Sequence, residues 1–204
     1  PRPSHCERDA LPAELPPHTR ARIVAPGCRT ATAVLQARYD SRMNVRIRDA
    51  KPSDQEFLAR GNEAMALETE HKRLDPVTIR RGVASALANP AHGRYFVAED
   101  DAGNAVGQLM ITYEWSDWRD GQFWWIQSVY VMPAARRGGV FRALYDHVDT
   151  LARSTPGVVG LRLYVELDNV AARRTYERCG MHDGGYRIME VDHSGAIRDA
   201  SEGD

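Results

Sequence analysis

The stretch VYVMPAARRGGVFRAL, residues 129–144, decides the fold. Val129, Tyr130 and Val131 have strand character, and Met132-Pro133 ends the strand. Arg136 to Gly139 make a glycine-bearing turn, and from Gly139 the apolar residues recur at helical spacing as far as Arg153. A strand running through such a turn into a helix gathers unpaired backbone N–H groups and a positive dipole end at one point. That is an anion site. Gly138 and Gly139 let backbone approach a phosphate, and Arg136, Arg137 and Arg142 add forked cationic donors. No Gly-Lys-Ser/Thr follows, so this is not a Walker loop, and the three-glycine dinucleotide fingerprint is absent too. On its own the segment reads equally well as a turn with solvated arginines.

Outward from this turn, the elements fall into an ordered series. On the N-terminal side the spacing predicts a short strand at Val45–Arg48, a helix over Glu56–Leu67, and a second helix over Asp75–Ala88 with Pro76 in its first turn. Three strands follow, Tyr95–Ala98, Ala105–Trp115 and Phe123–Met132, the first two joined by a turn at Asp101-Ala102-Gly103-Asn104. Beyond the turn come the helix Gly139–Arg153, a strand Val159–Glu166, a helix Ala171–Cys179 and a closing strand near Tyr186–Val191. The order β-α-α-β-β-β-α-β-α-β predicts an α/β (α+β) domain: a central mixed, mainly antiparallel twisted sheet with helices on both faces.

Composition bounds the function. The 204 residues are 43% hydrophobic and 27% charged, as in an ordinary globule, and no apolar run is long enough for a membrane span or a secretory signal. A cytoplasmic location without membrane partners is the expectation. A net charge of -1 argues against general attraction to nucleic acid. Three cysteines, Cys6, Cys28 and Cys179, form no CxxC pair and support neither a disulfide framework nor a metal site. Residues 1–42 hold six of the eleven prolines and no lysine, and read as a flexible leader or an extension outside the working domain. An organelle-targeting peptide fits less well, because Glu7, Asp9, Glu14 and Asp40 interrupt it. Residues 43–192 read as the domain and 193–204 as a flexible tail.

Val129-Tyr130-Val131-Met132-Pro133, then Arg136-Arg137-Gly138-Gly139-Val140, then Asn169-Val170-Ala171-Ala172, Tyr176 and Gly180-Met181 together resemble the GNAT superfamily of acyl-CoA-dependent N-acyltransferases. The resemblance spans Met43 to Asp192, with one departure: Phe141 stands where the family usually carries a second small residue. What it implies is a GNAT-like fold that uses acetyl-CoA as co-substrate and no metal. The diphosphate would rest on the N–H groups of Arg137, Gly138, Gly139, Val140 and Phe141, with Arg136 and Arg142 nearby. Pantetheine would pair like a strand beside Val129, Tyr130 and Val131, and contact Asn169 and Ala172. The Val129 N–H would stabilise the oxyanion, and Tyr176 would protonate the departing thiolate.

A base is less plainly marked. Where many relatives carry a glutamate, this chain has Gln127, which takes no proton. Glu114 is the first candidate, followed by Glu68 and Glu70 in the loop-like stretch ETEHKRLD, each working through water; the other route is an amine that arrives neutral. Trp115 and Asp117 alternate aromatic and acidic character in the segment after Glu114, which suits a cationic acceptor. The expected reaction moves an acetyl group to a primary amine of a small molecule or protein by direct attack in a ternary complex. Gln127 and Phe141 favour an alternative, a catalytically inactive CoA-binding regulatory module. The resemblance allows a homodimer without requiring one.

Overall fold

The computed structural model describes residues 42–194 and the backbone of residues 197–199, all within the compact unit Tyr39–Asp204. The leader expected over residues 1–42 therefore lies, but for Arg42, outside the described residues, as do Cys6 and Cys28. The elements are β1 (Arg46–Asp49), α1 (Gln55–Glu70), β2 (Lys72–Leu74), α2 (Pro76–Ala88), β3 (Arg94–Glu99), β4 (Ala105–Ser116), β5 (Gly121–Val131), α3 (Val140–Ser154), β6 (Val158–Leu163), α4 (Val170–Glu177) and β7 (Ile197–Asp199). Five strands form one sheet in the order β1-β3-β4-β5-β6. All neighbours are antiparallel except β5 and β6, which run parallel.

Period-two alternation places the two cores. Phe96 and Ala98 of β3 point to one face, where Leu109, Ile111, Trp124 and Ile126 meet Val140, Leu144 and Val148 of α3. Tyr95 and Val97 point to the other, against Leu58 and Ala59 of α1 and Val83 of α2. Helices thus cover both faces. A close approach fixes the start of α3: a Cβ on Gly107 would lie 2.8 Å from Val140 Cγ1, so the glycine in β4 lets the helix sit tight on the strand. On the opposite face a buried polar chain seats α1. Gln108 Nε2 donates to Leu58 O at 3.1 Å and to Asn62 Oδ1 at 3.0 Å, and Asn62 Nδ2 donates to Tyr95 Oη at 3.0 Å.

Three expectations are corrected. The stretch ETEHKRLD is not a loop: α1 continues through Glu68 and Glu70, stops at His71 with φ 55°, and Lys72–Leu74 forms β2. The predicted strand at residues 186–191 is absent, its Tyr186, Ile188, Met189 and Val191 exposed; β7, which begins six residues beyond Val191, instead pairs with β2. A strand exists only where an edge receives it, and residue character alone does not name the edge. Third, β6 ends at Leu163 rather than Glu166, which frees residues 164–168 for a turn into α4.

Candidate active site

The site begins at a defect in β5. Between Met110↔Ser128 and Ile111↔Ile126 the register with β4 shifts, leaving Gln127 as an extra residue, a β-bulge. Parallel pairing with β6 stops at the same place, at Ile126↔Leu163. From Gln127 to Val131 the far edge of β5 has, among the described residues, no strand beside it. Met132 N–H donates to Val106 O at 2.9 Å, so by alternation Tyr130 and Ser128 bond toward β4 while the backbone groups of Val129 and Val131 face the open edge. The expected oxyanion donor, Val129 N–H, thus points where a strand-like ligand would lie.

The edge runs into the arginine turn. Arg137 has φ 66° and Gly139 φ 86°, and no side chain caps α3, so the first N–H groups of the helix are open to a ligand. The three arginines differ. Arg142 Nε donates to Asp146 Oδ1 at 2.7 Å, and its Nη1 reaches Arg178 O at 3.4 Å. Arg136 Nε donates to Val131 O at 3.0 Å and its Nη2 to Glu68 Oε2 at 2.6 Å. Arg137 is exposed and, among the described residues, binds no acceptor. A hollow of about 230 Å³ beside the turn is lined by Arg42, Met43, Gly138, Gly139, Arg142 and Asp146.

On the other side of the edge lies a cleft of about 550 Å³, lined among others by Glu68, Glu70, His71, Glu166, Asp168 and Asn169. Asn169 caps α4, its Oδ1 accepting from Ala172 N–H at 3.0 Å, so its amide N–H₂ remains a donor for a ligand. Tyr176, two turns along α4, is largely buried against Phe141, and burial pushes its phenol up from the ordinary value. The Phe141 ring turns to Tyr176 and Tyr145, not into the phosphate turn. Burial likewise pushes up the Cys179 thiol, which suits a packing role. Among the described residues no group of His, Cys, Asp and Glu is placed to hold a metal ion, and no helix is long and apolar enough to cross a membrane.

The structure thus brings together Glu68, Glu70, Asn169, the Val129–Val131 edge and the turn. It keeps others apart. Glu114 pairs with Phe123 and Trp115 with Gln122, six and seven positions along β5 from Val129, which is roughly 20 Å at the rise of a strand. Glu114 also has partners: Arg162 Nη1 donates to its Oε1 at 2.7 Å and Trp125 Nε1 donates to the other oxygen. Asp117 begins the helical turn at that hairpin tip, its Oδ1 accepting from Trp118 N–H at 2.9 Å. Gln127 sits at the bulge, where Thr112 Oγ1 donates to its Oε1 at 3.3 Å. Sequence reasoning missed His71, Glu166 and Asp168; their nearness to Glu70 and Asn169 in the chain was the available signal.

The fold is shared with known proteins. The chain matches the acetyltransferase (GNAT) family over residues 60–181. A possible acetyltransferase from Clostridium difficile 630 is 40% identical with a TM-score of 0.68, over 72% of this chain and 97% of that one. Two more distant structures share the fold: ribosomal-protein-alanine N-acetyltransferase from Brucella melitensis biovar Abortus 2308 (17% identity, TM-score 0.58, 73% and 99% covered) and aminoglycoside N-acetyltransferase AAC(6')-Iy in complex with CoA (16%, 0.59, 74% and 96%). No curated protein sequence matches the chain.

Proposed function

The chain belongs to the acetyltransferase (GNAT) family, and from that premise we propose that it transfers the acetyl group of acetyl-CoA to a primary amine by direct attack, with no covalent enzyme intermediate. The observation that carries this reading is the open β5 edge at Val129–Val131, set between the uncapped start of α3 and the cleft of Glu68 and Asn169. These residues fit the co-substrate. The turn Arg137–Phe141 would hold its diphosphate, the β5 edge and the Asn169 amide its pantetheine arm, and when bound it supplies the activated acyl group.

The rest is the chain's own work. Val129 N–H donates to the oxygen that gains negative charge during attack. Tyr176, its phenol raised by burial, keeps its proton at neutral pH and can hand it to a thiolate. Glu68 replaces Glu114 as first choice of base. It lines the cleft and lies against Tyr130, one residue from Val129, whose hydroxyl donates to Glu68 Oε1 at 3.3 Å. Working through water, Glu68 takes the amine's proton, and Glu70, Glu166 and Asp168 attract the ammonium form to the cleft. Trp115 and Asp117 are within reach only of an acceptor as long as a peptide.

The test is calorimetric titration of the full chain with acetyl-CoA, ATP and NAD, followed by thiol release over a panel of primary amines. Selective acetyl-CoA binding with amine-dependent thiol release supports the proposal. Binding without release for any amine favours the regulatory module to which Gln127 points.

A further inference from the structure

The arginine that opens the turn is occupied. Arg136 Nε donates to Val131 O at 3.0 Å, Nη2 donates to Glu68 Oε2 at 2.6 Å, and the guanidinium carbon lies 5.5 Å from the centre of the Tyr130 ring. Each contact belongs to a different part of the site. Val131 O is the carbonyl at the open edge that a strand-like ligand would use, and Glu68 is a wall of the acceptor cleft. The turn itself, where a diphosphate would sit, begins at Arg136. One guanidinium therefore closes the donor edge and holds the acceptor-side carboxylate across 68 positions of sequence.

Magnitudes decide whether such a clasp opens. The two side chains are 43% and 41% exposed, and an ion pair that open to water is weak, less than the charge-assisted contacts a diphosphate offers the same guanidinium. We propose that Arg136 is a latch between the halves of the site: without donor it closes on Glu68 and Val131 O, and with a diphosphate seated on the turn it swings to that charge, yielding Val131 O to the donor's amide and Glu68 to the amine. The inference rests on the function proposed above and adds to it a coupling, through one guanidinium, between the donor turn and the acceptor-side carboxylate. In that arrangement the Glu68 carboxylate is released to an amine when Arg136 turns to the donor.

A binding cycle read by calorimetry with CoA, on the full chain and without turnover, tests the latch. Glu68→Gln removes what holds Arg136 back and tightens CoA about two- to fivefold, the worth of an exposed pair. In an Arg136→Gln background the same change leaves affinity within about 1.5-fold, because no latch remains to release. Glu70→Gln, which removes a like charge from the same cleft but touches Lys72 instead of Arg136, leaves it unchanged. Glu68→Ala behaves as Glu68→Gln and guards against an effect peculiar to the amide. Weakened or unaltered binding in Glu68→Gln overturns the latch. So does equal tightening in both backgrounds or in Glu70→Gln, which would be general electrostatics. If wild type binds no CoA at all, the reading of the turn falls and the latch with it; if it binds and the cycle is additive, the latch alone falls.

Discussion

Phe141 and Tyr176 meet edge to face, their ring centroids 5.6 Å apart at 67°. The bulky Phe141 thus serves as a wall for the proposed acid. It excludes water from the phenol, and that burial raises the phenol's pKa. A raised value means the proton is held through neutral pH and lost only in strong base.

Tyr176→Phe follows directly. It keeps the ring contact and removes only the proton, so turnover measured by thiol release falls about a hundredfold while CoA affinity by calorimetry stays within about twofold. Unchanged turnover would remove Tyr176 from the mechanism.

Glu114→Gln separates sequence proximity from spatial proximity. The carboxylate is held by Arg162 and Trp125 and stands roughly 20 Å along the strand from Val129. Turnover therefore changes less than about threefold, with the shape of its pH profile preserved. Because the Arg162 pair is partly exposed, stability drops by about 0.5 kcal/mol. Loss of the acidic limb of the pH profile, where a general base becomes protonated, would return Glu114 to the role of base.

How the sequence foretold this site, and where it failed, follows one physical line. Alternation in β3, with Tyr95 and Val97 against Phe96 and Ala98, is a local property, and so is the turn at Arg136–Gly139. Both were legible. The bulge at Gln127 was not, since it is a mismatch between two strands and belongs to neither alone. Nor was the pairing of β2 with β7, nor the choice of Arg136 for Glu68, where the partner lies far off in the chain. The Trp-rich hairpin drew Glu114 into the site because chain neighbours were taken for spatial ones.

Gly139→Ala probes the turn. At φ 86° the residue sits in the left-handed region, while an added Cβ would meet only Arg42 Cγ and Cδ at 3.7 and 3.9 Å, ordinary contacts. The cost is therefore backbone strain of about 1 kcal/mol, or a shift of the turn that relieves it. Either way the N–H groups of α3 move. CoA affinity falls about tenfold with a melting point only a few degrees lower; an unaltered affinity would show that the diphosphate does not rest here.

Arg48 carries a pH-dependent part of the stability of the sheet edge. Its Nη1 and Nη2 donate to Asp54 Oδ2 and Oδ1 at 2.7 and 2.9 Å, and its Nε donates to Glu99, with all three side chains largely buried. Hydrogen bonds from Arg48 hold both carboxyls below the usual carboxylate range. Groups whose folded values are depressed stabilise the protein above their unfolded values, and that contribution disappears as pH falls through the folded ones. Arg48→Met leaves Asp54 without its cation and Glu99 with only the exposed Arg46, whose Nη2 donates to Glu99 Oε2 at 2.6 Å, costing about 2 kcal/mol at pH 7, less than a fully enclosed pair would. Below about pH 4 protonation relieves the orphaned carboxylates in the variant and weakens the pairs in wild type, so the two denaturation curves converge. Urea unfolding at pH 7, 5 and 3 reads this gap. A gap that stays constant across the three would mean that Arg48 acts through packing of its stem and not through its charge.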